Sequence, residues 1–222
     1  METYYRALKR IFFTAFALGL ASCATLPAPE TPKNETLPWD SRVQTLSSIE
    51  SWDIKGLIAI RTNKDAESAN LNWQQNRQSF IINILGPLGS NSYTLVGSPG
   101  KVELTNPKGK KFYAESPEAL LTQQTGWRLP VSHLKYWVRG LPVPGMAANK
   151  HYDAYHHLTE LTQDGWQVQF LRYTSAHQVD LPSKIFLNST NLNVKIIISQ
   201  WQPHLTQNNV ISHSSKENSL SH

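Results

Sequence analysis

The chain has 222 residues, 21 Lys and Arg against 16 Asp and Glu, and a single cysteine. A formal net charge of +5 is weak for that length, and the charges are dispersed, so a nucleic-acid partner is not expected. One cysteine leaves no disulfide and no thiolate cluster for a metal.

Residues 1–22 read as a targeting segment and not as part of the fold. Arg6, Lys9 and Arg10 precede a short apolar run over residues 11–20, too short to span a bilayer. The run ends in Leu20-Ala21-Ser22-Cys23, which resembles a bacterial lipoprotein box. That resemblance implies cleavage before Cys23 and acylation of its thiol and its new amine, and two or more acyl chains anchor stably. Ala24 follows, where an aspartate would be associated with inner-membrane retention, so the expected destination is the outer membrane. Residues 23–38 carry Pro27, Pro29, Pro32 and Pro38 and are expected to be an extended, flexible linker.

The folded domain is expected over residues 39–202. Asp40 is placed to cap a helix running to about Glu50, with Val43, Leu46 and Ile49 on one face. From Trp52 the apolar period changes to two: Ile54, Ile58 and Ile60 alternate with Lys55 and Arg61, Leu71 and Trp73 with Asn70, Asn72 and Gln74, and Phe80, Ile82 and Ile84 with a mostly apolar second face of Ile81, Asn83 and Leu85. Turn formers separate the runs, at Gly86-Pro87-Leu88-Gly89, Ser98-Pro99-Gly100 and Asn106-Pro107-Lys108-Gly109. Six strands joined this tightly make an antiparallel meander. Leu88 is out of character for a hairpin tip. It either folds back onto the core or stands out as an apolar wedge for a membrane or partner.

Residues 116–140 interrupt the strands. Ser116-Pro117 starts one helix, with Leu120 and Leu121 inside it and Gly126 after it. Ser132 is expected to open a second, carrying Leu134, Trp137 and Val138 and closed by Gly140 before Leu141. The segment is too small for a core of its own and must cover another surface. Alternation resumes near Tyr152 and gives the last strands through Leu192, Val194, Ile196 and Ile198. Residues 203–222 are polar and expected to be disordered. The expected fold is mainly β, about ten to eleven antiparallel strands in a strongly curved sheet or barrel, with short helices over its mouth.

Catalytic chemistry is not expected. Gly97-Ser98-Pro99-Gly100-Lys101 lacks the early glycine and the hydroxyl of a phosphate loop, and neither Gly-x-Ser-x-Gly nor His-Glu-x-x-His occurs. His156 and His157 on a strand would face opposite ways and are expected at the surface. Asp153 and Glu160 form no evident acid–base pair. No cofactor and no metal are expected.

Several motifs, in order and spacing over residues 39–201, resemble the LolB family of outer-membrane lipoprotein receptors. They are the lipoprotein box, Trp52-Asp53-Ile54-Lys55-Gly56, Trp73-Gln74-Gln75, Gly86-Pro87-Leu88-Gly89-Ser90 and Leu134-Lys135-Tyr136-Trp137-Val138-Arg139-Gly140-Leu141-Pro142. Gly86 departs from the asparagine that is usual there. The resemblance implies an incompletely closed barrel with a helical lid and an apolar cavity. It also implies a monomer that accepts acylated lipoprotein cargo from a LolA-type periplasmic carrier and inserts it into outer-membrane lipid. By the same resemblance Cys23 is the lipidation site, and Pro87, Leu88 and Gly89 form the membrane-insertion loop. Cavity and lid fall to Trp52, Ile58, Ile60, Trp73, Ile82, Ile84, Leu120, Leu121, Leu134, Trp137, Val138 and Leu141. A lipid-modifying enzyme or a structural envelope lipoprotein on the same fold are the alternatives.

Overall fold

Alternating inward apolar side chains build eleven strands among the residues that the computed structural model describes, 37–87 and 91–204. The targeting segment with Cys23, most of the linker, Leu88 and Gly89 of the loop, and nearly all of the tail lie outside the described residues.

The strands are β1 (Ser51–Arg61), β2 (Ala66–Asn76), β3 (Ser79–Leu85), β4 (Tyr93–Ser98), β5 (Lys101–Thr105) and β6 (Lys111–Ala114). After the helical segment come β7 (Asn149–Tyr152), β8 (Leu158–Gln163), β9 (Trp166–Ala176), β10 (Val179–Asn188) and β11 (Asn193–His204). All pair antiparallel in one sheet of order β6-β5-β4-β3-β2-β1-β11-β10-β9-β8-β7. Pairing of β1 with β11 joins the two halves of the chain, Ile58 opposite Ile196 and Ile60 opposite Val194. The sheet therefore ends at β6 and β7, which do not pair, and the barrel stays open between them.

Alternation and burial agree along the long strands. Trp52, Ile54, Ile58 and Ile60 of β1 point inward, as do Leu71 and Trp73 of β2 and Val194, Ile196 and Ile198 of β11. A bulge at Lys55 and Gly56 shifts the β1–β11 register. Gly56 is required there, because a Cβ would stand 1.9 Å from the Ile197 carbonyl oxygen.

Among the described residues three helices accompany the sheet: α1 (Trp39–Ser48), α2 (Pro117–Thr125) and α3 (Val131–Trp137). The start of α1 differs from expectation. Pro38 occupies its cap position and Asp40 sits within the first turn, where a carboxylate favours the positive end of the helix dipole without capping it. For α2 the expectation holds: the Ser116 hydroxyl accepts from the Ala119 N–H, Pro117 is first in the helix and Gly126 closes it with φ 76°. Ser132 does not cap α3, whose cap position falls two residues earlier, at Pro130. Instead the Glu118 carboxylate of α2 accepts from the Ser132 N–H at 2.7 Å, so one helix caps the next.

Candidate functional site

The helices α2 and α3 are the only chain between the unpaired edge strands that is helical among the described residues, and they turn their apolar side chains into the sheet. α2 packs on β5 and β6 and against α3. Leu120, Leu121, Leu129, Val131 and Leu134 are all buried. Among them lies a wholly apolar void of about 30 Å³. That is room for a water or two and not for an acyl chain. The helical segment therefore fills the space that the strands enclose.

Of the residues expected in cavity and lid, Ile58, Trp73, Ile82, Ile84, Leu121 and Leu134 line the void. Trp52, Ile60, Leu120, Trp137, Val138 and Leu141 lie in the same core without lining it. Above them a groove of about 730 Å³ opens at one end of the barrel. It runs between the β2–β3 and β4–β5 turns and the outer side of α3, where Lys135 and Tyr136 stand, and Trp52 and Trp73 contribute to its lining. The two indoles meet edge to face at 4.9 Å between ring centroids.

Polar fasteners that lie far apart in sequence hold the helices down. The indole N–H of Trp137 donates to the Gln163 side-chain oxygen at 3.1 Å, which also accepts from the Val143 N–H at 2.8 Å. Gln163 completes the bracket by donating to the carbonyls of Val143 and Met146. Arg139 is 7% exposed and donates to the carbonyl of Lys135 at 2.9 Å and to those of Leu46 and Ile49 at 3.2 and 2.7 Å. Its guanidinium thus ties the C-terminal end of α1 to that of α3, where a cation complements the helix dipole. Burial pushes its pKa below the usual arginine value, and the Tyr136 and Glu50 side chains oppose that shift.

A second polar knot fixes α1 to β9 and β10. His157 is buried, against the surface position expected for it, with Nδ1 at 3.0 Å from Asp153 and Nε2 at 3.1 Å from Asp180. The reason is local: it closes a turn in which His156 takes φ 59°, and does not lie on a strand. Asp153 is thereby a structural partner of His157. The Tyr173 ring stacks on the imidazole at 4.4 Å, and its hydroxyl donates to the Leu158 carbonyl at 2.6 Å. Arg42 of α1 donates to the Asp180 carbonyl and lies over the Tyr173 ring. Burial raises the Tyr173 pKa well above the tyrosine range and lowers that of Arg42. Sequence reading missed Arg42, Arg139, Gln163 and Asp180, because a buried polar residue is recognisable only beside partners that the fold supplies.

At the opposite end of the barrel β3 ends and the loop that holds Leu88 begins, with Gly86 buried and Pro87 exposed. A family profile described as "Outer membrane lipoprotein LolB" matches residues 50–201. The chain belongs to the LolB family. Proteins named outer-membrane lipoprotein LolB from Pseudomonas paraeruginosa and Pseudomonas syringae pv. syringae are each 41% identical to it. The alignments cover 87% of this chain and 96% and 95% of the two relatives. A third of the same name, from Pseudomonas fluorescens, is 39% identical over 88% of this chain and 97% of its own. Among solved structures, a DUF1329 family protein from Desulfovibrio piger superposes on this LolB-family chain with a TM-score of 0.51 at 7% identity, covering 79% of this chain and 95% of that one. A putative outer membrane lipoprotein-sorting protein domain from Vibrio parahaemolyticus gives 0.50 at 6% identity, covering 78% and 93%. At those identities the likeness speaks for the fold alone.

Proposed function

We propose that this LolB-family protein is a receptor, not an enzyme. It is held in the outer membrane by acyl chains on Cys23, receives lipoproteins from a LolA-type periplasmic carrier, and passes them into the lipid. Residues 1–22 are the signal, 23–38 the tether, 39–202 the working domain with residues 116–140 as its lid, and 203–222 a polar tail. The protein works as a monomer.

The observation that carries this is the apolar interior closed by helices instead of by strand pairing. Leu121, Leu129, Val131 and Leu134 occupy the inside through packing, so an acyl chain that displaces them replaces one apolar contact by another. Each methylene moved from water into such a space gains about 0.8 kcal/mol. A hand-over between two apolar sites therefore runs on affinity differences and needs no nucleotide. The bilayer is the deepest apolar sink and takes the cargo last.

Leu88, with Pro87 and Gly89, is the wedge that carries this last step. Leu88→Glu should fold, accept cargo and fail to deliver it, since a carboxylate at the tip resists the acyl region. Thermal melts and transfer of an acylated protein to liposomes, on one preparation, provide the check. For an exposed tip the stability change stays below about 1 kcal/mol. A sharply lowered melting temperature would return Leu88 to the core, and normal transfer would remove it from the mechanism.

A further inference from the structure

The outward face of β9, β10, β11 and β1, continuing across β2 to β3, carries cations without counter-charges toward the end that holds the β3–β4 connection, whereas at its other end Asp53 pairs with His204 at 3.1 Å. The strand registers arrange the cationic part in three rows. One row reads Leu85, Asn70, Leu57, Ile197, Lys184 and Arg172 from β3 to β9. The next reads Ser68, Ala59, Lys195, Phe186 and Gln169, and the third Ala66, Arg61, Asn193, Asn188 and Gln167. These rows hold four cations and no carboxylate. The nearest carboxylates along them are Glu160, one strand farther on β8, and Asp65 and Glu67 at the rim beside the β1–β2 turn.

Neighbouring positions do not neutralise these cations. Arg61, Arg172, Lys184 and Lys195 form no ion pair among the described residues, whereas Arg77 and Lys111 elsewhere on the surface do. Lys184 stands directly opposite Arg172 in the sheet, an arrangement that disfavours pairing of the strands. The same face is unusually apolar between its charges: Leu57 is 50% exposed and pairs across with Ile197. Leu57, Leu85, Pro87 and Ile197 line a shallow groove of about 340 Å³ with Lys195 at its edge. Pro87 belongs to the hairpin connection that also holds Leu88, so the groove and that connection share one end of the barrel.

Anionic lipid headgroups present phosphates to the cations and, just beneath, an apolar layer to Leu57 and its neighbours. An aqueous counter-ion atmosphere would satisfy the charges but would leave the apolar groove wet. We propose that this face is a membrane-docking surface for bilayers containing anionic phospholipid. It rests on the proposal that the protein works at a lipid surface, but uses none of the cargo chemistry. Docking along this flank tilts the barrel so that the end at Pro87 lies nearer the headgroups and the groove at the other end is turned toward the periplasm.

The test needs a body free of its acyl anchor. The packed core lies within residues 37–204, so the chain from residue 23 onward, with Cys23→Ala behind an ordinary cleavable signal, serves. Its flotation with vesicles of phosphatidylethanolamine, with and without phosphatidylglycerol, is compared with that of Lys184→Gln/Lys195→Gln. Each cation beside an anionic surface contributes about fivefold in affinity, so the double variant should bind phosphatidylglycerol vesicles about 25-fold more weakly. Lys101→Gln/Arg128→Gln removes the same charge from other surfaces and should change binding by less than about twofold. Leu57→Gln should weaken binding while leaving its salt dependence unchanged. Equal losses for the two double variants, or equal binding to vesicles without phosphatidylglycerol, would overturn the proposal. So would normal vesicle binding by Lys184→Gln/Lys195→Gln with lost carrier binding, which would assign the face to a protein. Acyl-cargo uptake is measured on the same samples: if docking fails and uptake persists, only this proposal falls, and if uptake fails with docking intact, the receptor function falls.

Discussion

Replacing Arg139 by methionine tests whether the helical segment is held down by its polar fasteners. The substitution keeps an aliphatic stem of similar reach and removes all three donated hydrogen bonds. Two carbonyls survive the loss well: Lys135 lies on α3 near solvent, and Leu46 keeps a bond from the Ile49 N–H at 3.3 Å. The Ile49 carbonyl does not, since it loses the 2.7 Å bond in a residue with no exposure. An orphaned buried carbonyl costs about 1–3 kcal/mol, and the cation over the Tyr136 ring about 0.5–1 kcal/mol more. Removing a buried charge returns part of this, for a net loss of about 2 kcal/mol. In a domain of this size that lowers the melting temperature by about 4–8 °C. Arg139→Lys should not rescue, because one ammonium cannot replace the planar fork that reaches both helix ends. Scanning calorimetry supplies the stability, and stopped-flow uptake of an acylated peptide the function. Uptake should accelerate, since the α1–α3 tie resists displacement of α3. A melting temperature within about 1 °C of the parent would refute the reasoning.

Tyr173 should make the protein sensitive to alkali. Its pKa is raised in the fold, so its contribution is complete below the unfolded value near 10 and is lost as pH rises above it, by about 1.4 kcal/mol per pH unit. Urea melts from pH 9 to about 11.5 should show that slope reduced in Tyr173→Phe, and identical slopes would dissociate Tyr173 from it. Gly56→Ala should cost at least about 3 kcal/mol, because the new methyl meets main chain. Gly97→Ala, whose methyl meets the Phe80 ring and not main chain, should cost less; the reverse order in denaturant melts would contradict the bulge assignment.

The long strands β1 and β11 were legible because each is buried mainly on one face, so Ile54, Ile58 and Ile60, or Val194, Ile196 and Ile198, announce a period of two. The first lid helix was legible from its own ends, Ser116-Pro117 and Gly126, since capping is local chemistry. The second was misplaced by two residues because its capping carboxylate comes from Glu118, 14 positions before Ser132. His157 was misread for a similar reason: its partner Asp180 lies 23 residues away, across a turn with a left-handed residue. The extent of the interior was equally hidden. Alternation tells which side chains face inward but not how much of the enclosed volume residues 120–134 will fill.

The two strands at the margins of the sheet, β6 and β7, are only four residues long, and all of β7 is exposed. Because they never meet, the seam of the barrel contains no ladder hydrogen bonds to break. A closed barrel could widen only by tearing a strand pair and stranding a row of N–H and C=O groups, each at a cost of about 1–3 kcal/mol. Here the wall can flex like a split ring while all ten strand pairings stay intact. Swelling of the interior is then opposed by oily contacts, which any oily guest restores, and by the few polar fasteners of the helices at Arg139 and Gln163. The missing strand pair thus lets one sheet be rigid along its length and compliant around its girth.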